Sequence, residues 1–475
     1  MLFNSIEFLL FFPIVVVIYF AIPQKLKQLW LLLASYYFYM CWNAKYAILI
    51  LLSTAITYAS GLLMEGIKQK KYEAQKEKKL KNWVVGLSFA SNLSILFYFK
   101  YINFALSTLG GVLHFAHIEL NVPTFDIILP VGISFYTFQA LSYTMDVYRD
   151  EVYAEKNFIR YALFVSFFPQ LVAGPIERAG ALLPQIGAGK DVDFDDLRAG
   201  VRLLLSGSFR KIVVADFCGV FVTSVFSATN PDGSAVFAAA LLFGIQIYCD
   251  FAGYSEIAAG SARLVGVRLM RNFDRPYLSA SIREFWRRWH ISLSRWLADY
   301  VYIPLGGSRH GTARQILATA VVFTVSGLWH GANMTFVVWG LLHGAFVISE
   351  VLISRFFERE PRFLFPGRLL TFSAVSFSWI FFRADSLTHA AALIKCLFSR
   401  WNIAAGLECL GIGVTELAII VLAVLSFPIL YSLSSEEEGK THRDMTFVYT
   451  MLAVAVAWLL RLEGDGASAF IYFRF

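Results

Sequence analysis

Residues 324–344 read TVSGLWHGANMTFVVWGLLHG, a run of 21 positions without Asp, Glu, Lys or Arg. A helix rises about 1.5 Å per residue and the hydrocarbon core of a bilayer is about 30 Å thick, so about 20 such residues cross it. The run is therefore typical of the membrane-embedded part of a chain. Two of its polar side chains, His330 and Asn333, are spaced so that they share one face of a helix. Polar side chains are costly in lipid, and such residues usually mark functional sites in membrane proteins.

The rest of the chain has the same character. Of its 475 residues, 57% are hydrophobic and 16% are Asp, Glu, Lys or Arg, whereas about 25% are charged in an ordinary soluble domain. This composition excludes a disordered chain, a disulfide scaffold and nearly all soluble folds, and the continuous apolar runs exclude the alternating strands of a membrane barrel. We predict an all-α polytopic membrane protein that forms one integral membrane domain over 1–475. This domain is surrounded by the lipid bilayer.

About fourteen apolar runs follow one another along the chain, and several are too short or too interrupted to span a bilayer. We expect about ten to twelve true spans and, for the remainder, re-entrant or interfacial helices. The runs cover 6–23, 29–43, 46–64, 83–99, 101–117, 126–148, 157–176, 200–226, 234–266, 313–333, 334–354, 367–383, 410–432 and 446–461.

The charged residues predict the orientation. The segment 68–81, KQKKYEAQKEKKLK, carries seven Lys against two Glu, and loops rich in Lys stay in the cytoplasm. Lys25 and Lys27, two spans earlier, are then cytoplasmic as well, which puts the N-terminus outside. The net charge of +7 is explained by such loops and indicates no nucleic-acid partner. Five scattered cysteines without CxxC spacing predict neither a disulfide framework nor a metal site.

One segment breaks the apolar pattern. Residues 271–312 carry seven Arg and three acidic residues, and from Ser281 to Tyr300 the pattern is that of one amphipathic helix, capped by Ser279 or Ser281. This helix is too charged to cross lipid, so we expect it at the interface or buried in the bundle. One of its stripes contains Trp286, Trp289, Leu293, Leu297 and Tyr300, and the other contains Arg283, Arg287, His290 and Ser294.

Polar residues also interrupt the runs around 126–176. Gln139, Tyr143 and Asp146 are spaced so that they share one face of a helix. Gln170 precedes a Gly-Pro break at 174–175, where freed backbone groups need hydrogen-bond partners.

The run 234–266 is polar along one face as well. Asp250 and Tyr254 are spaced i, i+4, and Gly253 allows a second helix to approach. Two interpretations of its acidic residues stay open: they belong to a functional site, or they pair with arginines that hold the bundle together. The residues concerned are Asp250 and Glu256, and their partners would be arginines such as Arg271 or Arg275.

His330 lies in the middle of an apolar run, where Gly327 and Gly331 open space for close packing or for a passing substrate. An imidazole titrates near neutral pH, which makes it the side chain best suited to remove a proton from a hydroxyl group. His290 is the natural second histidine, and we interpret His343 as a hydrogen-bonded packing residue.

Several long motifs together resemble one family. In order between 129 and 332 they are LPVGISFYTFQALSYTMDVYR, FPQLVAGPIER, YCDFAGYSEIA, NFDRPYLSASIREFWRRWHISLSRWLADYVYIPLGG and SGLWHGA. The chain resembles the membrane-bound O-acyltransferase family, and within it the bacterial branch that includes the membrane subunit of alginate O-acetylation. The ending FIYFRF at 470–475 is similar to the usual ending of that branch, with Arg474 in place of Gln. The motif-dense catalytic core covers 126–350.

The resemblance implies a bundle of about eleven transmembrane helices, with re-entrant and interfacial helices, around a central tunnel in a bacterial inner membrane. It implies an O-acyltransferase, here an O-acetyltransferase, that moves an acyl group from a cytoplasmic thioester donor to hydroxyls of an extracytoplasmic polysaccharide. The donor is acetyl-CoA or another acyl thioester, and no bound cofactor is implied. The implied partners are the polysaccharide pathway and a periplasmic or extracellular acetyltransferase.

The family's invariant histidine corresponds to His330 and its second histidine to His290. The resemblance implies that His330 is the general base, while His290 orients the substrate or stabilises the oxyanion. The basic helix is expected to hold the phosphates of coenzyme A or to pair with the acidic residues of 234–266. The set expected to line the substrate tunnel is Trp329, Asn333, Trp286, Arg287, Arg288, Asp250, Tyr254 and Gln139.

Two other functions stay open. Broken spans and intramembrane charges also suit a transporter or channel, and a third possibility is a non-catalytic conduit that hands acyl groups to a partner transferase. The FWRRWHIS and SGLWHGA motifs favour the enzyme.

Overall fold

The computed structural model describes residues 1–70, 72–118, 122–172, 174–188, 192–356, 364–399 and 401–434. Every regular element in these ranges is a helix, which confirms the predicted all-α fold. The apolar run 446–461 and the ending 470–475 lie outside the described residues.

Contacts divide the chain into two compact units. The first consists of Met1, Ser5–Leu197 and Ser261–Met270, and the second of Leu2–Asn4, Arg198–Gly260 and the chain from Arg271 onward. The single integral domain over 1–475 stays a prediction.

The first unit begins with long apolar helices and continues with shorter ones. Its α-helices are Ile6–Ala21, Gln24–Asn43, Ala47–Gln69, Ala74–Leu96, Ile102–Phe115, Ile133–Tyr148, Phe158–Ser166, Phe168–Leu171 and Ala179–Ala188, with a 3₁₀ turn at Ala44–Tyr46 and a π-helix at Phe97–Tyr101.

The second unit contains the segments that carry both predicted catalytic histidines. Its α-helices are Phe194–Ser208 (from Arg198 onward), Asp216–Phe226, Gly233–Arg263 (as far as Gly260), Ile282–Arg288, Ile291–Leu297, Gly311–His330, Met334–Phe356, Leu364–Arg383, Leu387–Leu397, Ile403–Leu410, Val414–Leu425 and Phe427–Ser434. Shorter elements are the π-helices Phe209–Ala215 and Ala298–Tyr302 and the 3₁₀ turn Pro276–Leu278.

Several helices are long and apolar enough to cross a membrane. Within the described ranges, five stretches pass on length and composition, and a sixth passes if two helices joined at an 82° bend form one broken span. The chain is therefore a multi-pass membrane protein, while the expected number of about eleven spans stays a prediction. The stretches are Gln24–Gln69, Ala74–Phe115, Gly233–Arg263, Met334–Arg355 and Phe365–Arg383, and the bent pair is Ile403–Leu410 with Val414–Leu425.

In the first unit, two buried glutamines serve one backbone carbonyl. Gln139 Nε2 donates to the Phe164 carbonyl oxygen over 2.6 Å, and Gln170 Nε2 donates to the same oxygen over 2.8 Å. That carbonyl lacks its usual helical donor, because the amide of Phe168 donates instead to Ser35 Oγ over 3.1 Å. Gln170 thus serves a freed backbone group at the helix break near Phe167, whereas the sequence had pointed to the break at 174–175. An unpaired carbonyl here would be costly.

In the second unit, the close helix approach predicted at Gly253 is confirmed. A Cβ atom added there would lie 2.7 Å from the Gly207 carbonyl oxygen and 3.1 Å from the Lys211 amide nitrogen. Both neighbours are backbone atoms, which cannot rotate away, so only glycine fits at this crossing.

We expect Gly253→Ala to destabilise the protein by about 1–3 kcal/mol, because the added methyl group overpacks a fixed backbone crossing. The matched control is Gly86→Ala, also inside a helix, where an added Cβ atom meets nothing within 4 Å. The measurement is the thermal unfolding midpoint of the detergent-solubilised chain. Equal midpoints for the two variants would contradict the crossing described above.

Candidate active site

His330 is the last residue of the helix Gly311–His330, and the chain leaves the helix directly after it. Gly331 has extended backbone angles, φ −165° and ψ 151°, and the next helix begins at Met334. The prediction that His330 and Asn333 share one helix face is therefore wrong, since the helix does not continue through the Gly331 break.

Asn333 instead holds the break. Its Oδ1 accepts the amide of Thr335 over 3.1 Å, and its Nδ2 donates to the Asp385 carbonyl oxygen over 2.9 Å. The side chain thus caps the following helix and ties it to a neighbouring turn. Its contacts are those of a residue that supports the position of His330.

Aromatic rings enclose His330, which is 2% exposed. Its ring centroid lies 5.1 Å from Trp329, 5.0 Å from Trp339 and 5.3 Å from Phe382, all in edge-on arrangements. These rings leave little room for bulk water around the imidazole. Trp339 and Phe382 were not among the predicted site residues.

The second predicted histidine lies beside the first. The ring centroids of His290 and His330 are 6.4 Å apart, and Trp329 contacts both, at 5.6 Å from His290. His290 is fully buried and meets the Phe251 ring edge-on at 4.6 Å. The structure therefore brings together two histidines that are 40 positions apart in the sequence.

The prediction of one continuous helix from Ser281 to Tyr300 is wrong. The segment forms two short helices, Ile282–Arg288 and Ile291–Leu297, followed by a π-helix. His290 between them has φ 43° and ψ 54°, a left-handed conformation that a right-handed helix cannot contain. The expected cap at Ser281 is confirmed, since its Oγ accepts the Glu284 amide over 3.1 Å.

Trp286 contacts His330 indirectly, through the ring of Trp339. Its indole centroid is 5.8 Å from Trp339, which itself contacts His330. Trp286 Nε1 donates to His343 Nδ1 over 3.3 Å, and His343 Nε2 bonds to Ser378 Oγ at 2.9 Å. This chain of hydrogen bonds makes Nε2 the protonated nitrogen of His343 and confirms that His343 is a hydrogen-bonded packing residue.

The two arginines of the predicted site are more exposed than the buried histidines. Arg287 is exposed, and Arg288 pairs with Glu284 over 2.6 Å one turn earlier. Both lie in the last turn of the helix that ends just before His290.

The acidic residues of the helix Gly233–Arg263 form buried ion pairs. Asp250 pairs with Lys211, which also contacts Asp216 over 2.9 Å, and Glu256 pairs with Arg210 over 3.1 Å. The structure supports the interpretation that these acids hold the bundle together.

Glu256 pairs with an arginine, as that interpretation expected, but with Arg210 in place of the two arginines named, and Asp250 pairs with a lysine. The true partners are adjacent residues, 210 and 211, inside the apolar run 200–226. Two basic residues in such a run were the signal that could have revealed them.

Tyr254 and Gln139 are also held by other groups. The Tyr254 hydroxyl donates to Asn4 Oδ1 over 3.2 Å, and Lys211 Nζ lies 5.7 Å from the centre of its ring. Gln139 belongs to the first unit, where it bonds to the Phe164 carbonyl.

A buried acid in the FPQLVAGPIER motif also escaped the sequence reasoning. Glu177 Oε1 accepts the Met270 amide over 2.6 Å within the first unit. This carboxyl group lies outside the candidate membrane spans. Its burial raises its pKa to about 7. Its bond to a backbone amide indicates that it holds two chain segments together.

Comparison with known proteins identifies the family. The sequence model of the membrane-bound O-acyltransferase family matches residues 37–393. The probable alginate O-acetylase AlgI of Pseudomonas putida is 35% identical over 496 residues, covering 100% of both chains. Its counterpart from Pseudomonas aeruginosa is 36% identical over 91% of this chain and 82% of that protein.

A peptidoglycan O-acetyltransferase of Helicobacter pylori is 34% identical over 83% of this chain and 79% of that protein. The family match covers both histidines, the aromatic rings around them and the ion pairs that hold the neighbouring helix. This protein belongs to the membrane-bound O-acyltransferase family and is an O-acyltransferase.

Proposed function

We propose that this chain moves acetyl groups from a cytoplasmic thioester, such as acetyl-CoA, to hydroxyl groups of an extracytoplasmic polysaccharide. The observation that carries this proposal is the buried pair His290 and His330, with ring centroids 6.4 Å apart inside an aromatic shell. Relatives named as alginate O-acetylases and a peptidoglycan O-acetyltransferase support acetyl as the group and a polysaccharide as its acceptor.

In this proposal, neutral His330 removes the proton of the attacking hydroxyl group. The alcohol oxygen bonds to the thioester carbonyl carbon, the carbon–sulfur bond then breaks, and the proton passes from His330 to the departing thiolate. The products are an acetyl ester and a free thiol. A positioned base of this kind contributes a factor of about 10²–10⁴ to the rate.

His290 has a separate role in the same step. A buried imidazole N–H directed at the reacting carbonyl stabilises the negative charge that develops on its oxygen. His290 is held between Phe251 and Trp329, so its ring is already oriented before the substrate arrives. Such preorganisation is effective because nothing must rearrange during the reaction.

The surrounding residues protect the thioester. Trp329, Trp339 and Phe382 exclude water from His330, which limits hydrolysis of the donor. Arg287 and Arg288, which lie outside the buried cluster at the end of the preceding helix, are suited to the anionic phosphates of coenzyme A.

The same proposal includes the orientation and the partners. The Lys-rich segment 68–81 lies on the cytoplasmic side of a bacterial inner membrane, and the N-terminus lies outside. The acceptor is supplied by a polysaccharide pathway, and a periplasmic or extracellular acetyltransferase completes the transfer where the acceptor is out of reach.

The test compares the surface polysaccharide of cells with and without the gene. We expect acetyl esters, measured by mass spectrometry before and after mild alkaline treatment, to disappear on deletion and to return on complementation. Unchanged ester content would contradict the proposal. Flux of polysaccharide or acetate through the purified chain in liposomes, without any acyl donor, would favour a transporter instead.

A further inference from the structure

The break at His290 needs support from outside its own two helices. Few residues other than glycine adopt positive φ, although histidine does so more often than most, and His290 has φ 43°. One helix ends at Arg288, two residues before it, and the next begins at Ile291, so local preference alone favours a continuous helix through the position. Contacts from other parts of the chain must therefore stabilise the left-handed conformation of His290.

Asn272 supplies that support from a distant part of the chain. Its carbonyl oxygen accepts the Ile291 amide over 2.9 Å, and its side-chain Oδ1 accepts the Ser292 hydroxyl over 2.6 Å. The Ser292 amide points at the same Oδ1 over 3.4 Å. These bonds satisfy the first donors of the helix that starts after His290.

Asn272 is itself fixed to the helix Gly233–Arg263. Its Nδ2 donates to Ser255 Oγ over 3.1 Å, and the side chain is buried, with 2% exposure. One turn earlier, the same helix carries Phe251, whose ring meets His290 edge-on. The helix therefore supports both the backbone break and the imidazole.

The other side of the break is tied to the same segment. The Asp274 amide donates to the Arg288 carbonyl oxygen over 3.0 Å, so residues 272–274 bridge the end of one short helix and the start of the next. Because water is excluded, each lost bond would leave a buried polar group without its partner.

We propose that Asn272 is the positioning residue for His290: it holds the left-handed break so that the imidazole stays beside His330. This inference rests on the proposed function, since it assigns His290 to the reaction. Asn272 touches neither the acyl donor nor the acceptor in this account, and it acts through His290.

We expect Asn272→Ala to lower kcat about 10- to 100-fold, because displacing a catalytic group by about 1 Å has effects of that size. The KM for acetyl-CoA should stay unchanged. The assay uses inverted membrane vesicles from bacteria that express the full chain, with radiolabelled acetyl-CoA as donor and alkali-labile acetyl esters as product.

Asn92→Ala is a closely matched control. Asn92 is 1% exposed, accepts a serine hydroxyl over 2.6 Å and donates to a backbone oxygen over 2.9 Å, so its loss has a similar structural cost. We expect a similar fall in thermal stability with kcat close to that of the wild type. If Asn272→Ala lowers kcat no more than Asn92→Ala, the inference is overturned.

Ser292→Ala is the milder variant, because it removes only one hydroxyl group and keeps the backbone bond to Asn272. If Asn272→Ala does not fold, Ser292→Ala provides the test. A lower kcat of Ser292→Ala at unchanged KM supports the inference, and a wild-type kcat overturns it. A wild-type chain without acetyl transfer would instead overturn the proposed function. If His290→Ala keeps full activity, the assigned role of His290 fails.

Discussion

Replacing His330 with glutamine or alanine is expected to lower the rate of acetyl transfer by about 10²–10⁴-fold, because the attacking hydroxyl group loses its general base. Glutamine fills most of the space among Trp329, Trp339 and Phe382 and bonds to polar groups, but it does not take up a proton. The measurement is the initial rate of ester formation per folded protein, with the amount of folded protein taken from size-exclusion chromatography in detergent.

His114→Ala is the control for a histidine outside the site. His114 is an exposed residue of the first unit, so its replacement should leave the rate within about twofold, as surface substitutions usually do. An active His330→Gln variant would remove His330 from the role of base.

The second large effect is expected at Lys211, which forms ion pairs with two carboxylates in the second unit. Its Nζ pairs with Asp250 and lies 2.9 Å from Asp216 Oδ1. Lys211→Met leaves Asp250 buried without this cation, and breaking a buried ion pair costs about 3–5 kcal/mol. We expect a large fall in the thermal unfolding midpoint and in the yield of folded protein.

Lys68→Met is the matched control. Lys68 pairs with Asp150 over 2.9 Å, but both side chains are largely exposed, and such pairs contribute about 0–1 kcal/mol. The double variant Lys211→Met, Asp250→Asn should recover part of the lost stability, since it removes one unpaired charge. Equal effects of Lys211→Met and Lys68→Met would show that burial adds nothing to the Lys211 pair.

The membrane class and the two histidines could be predicted because the signals are local. Long stretches without charge, such as 46–64, predict embedded helices from composition alone. Polar residues inside such stretches stand out, which is why His330 and Asp250 were noticed. The family resemblance then related His330 to His290, which spacing could not do.

The break at His290 could not be predicted, because the side-chain stripe continues across it. Trp289, Leu293 and Leu297 are all buried, as one continuous helix would also make them. The break depends on hydrogen bonds from Asn272, which lies outside the periodic segment. Periodicity shows which side chains are buried, and long-range hydrogen bonds decide where the backbone turns.

The partners of Asp250 and Glu256 were missed for a related reason. Positive charge is dense along the arginine-rich segment 271–312, which made its arginines the expected partners. Lys211 and Arg210 supply the pairs because the π-helix Phe209–Ala215 packs against the helix Gly233–Arg263, with Gly253 at the crossing. Pairing in a bundle follows helix contacts, which charge density along the sequence does not report.

The most direct test of acetyl transfer across the membrane uses sealed inverted vesicles, in which the cytoplasmic face is exposed. Radiolabelled acetyl-CoA is added outside, and alkali-labile esters are measured before and after an added esterase, with and without detergent. The account predicts esters that only detergent makes accessible to the esterase, and none above background with His330→Gln. The account would be contradicted by esters that the esterase removes without detergent, because these lie on the exposed cytoplasmic face. It would also be contradicted by undiminished ester formation with His330→Gln.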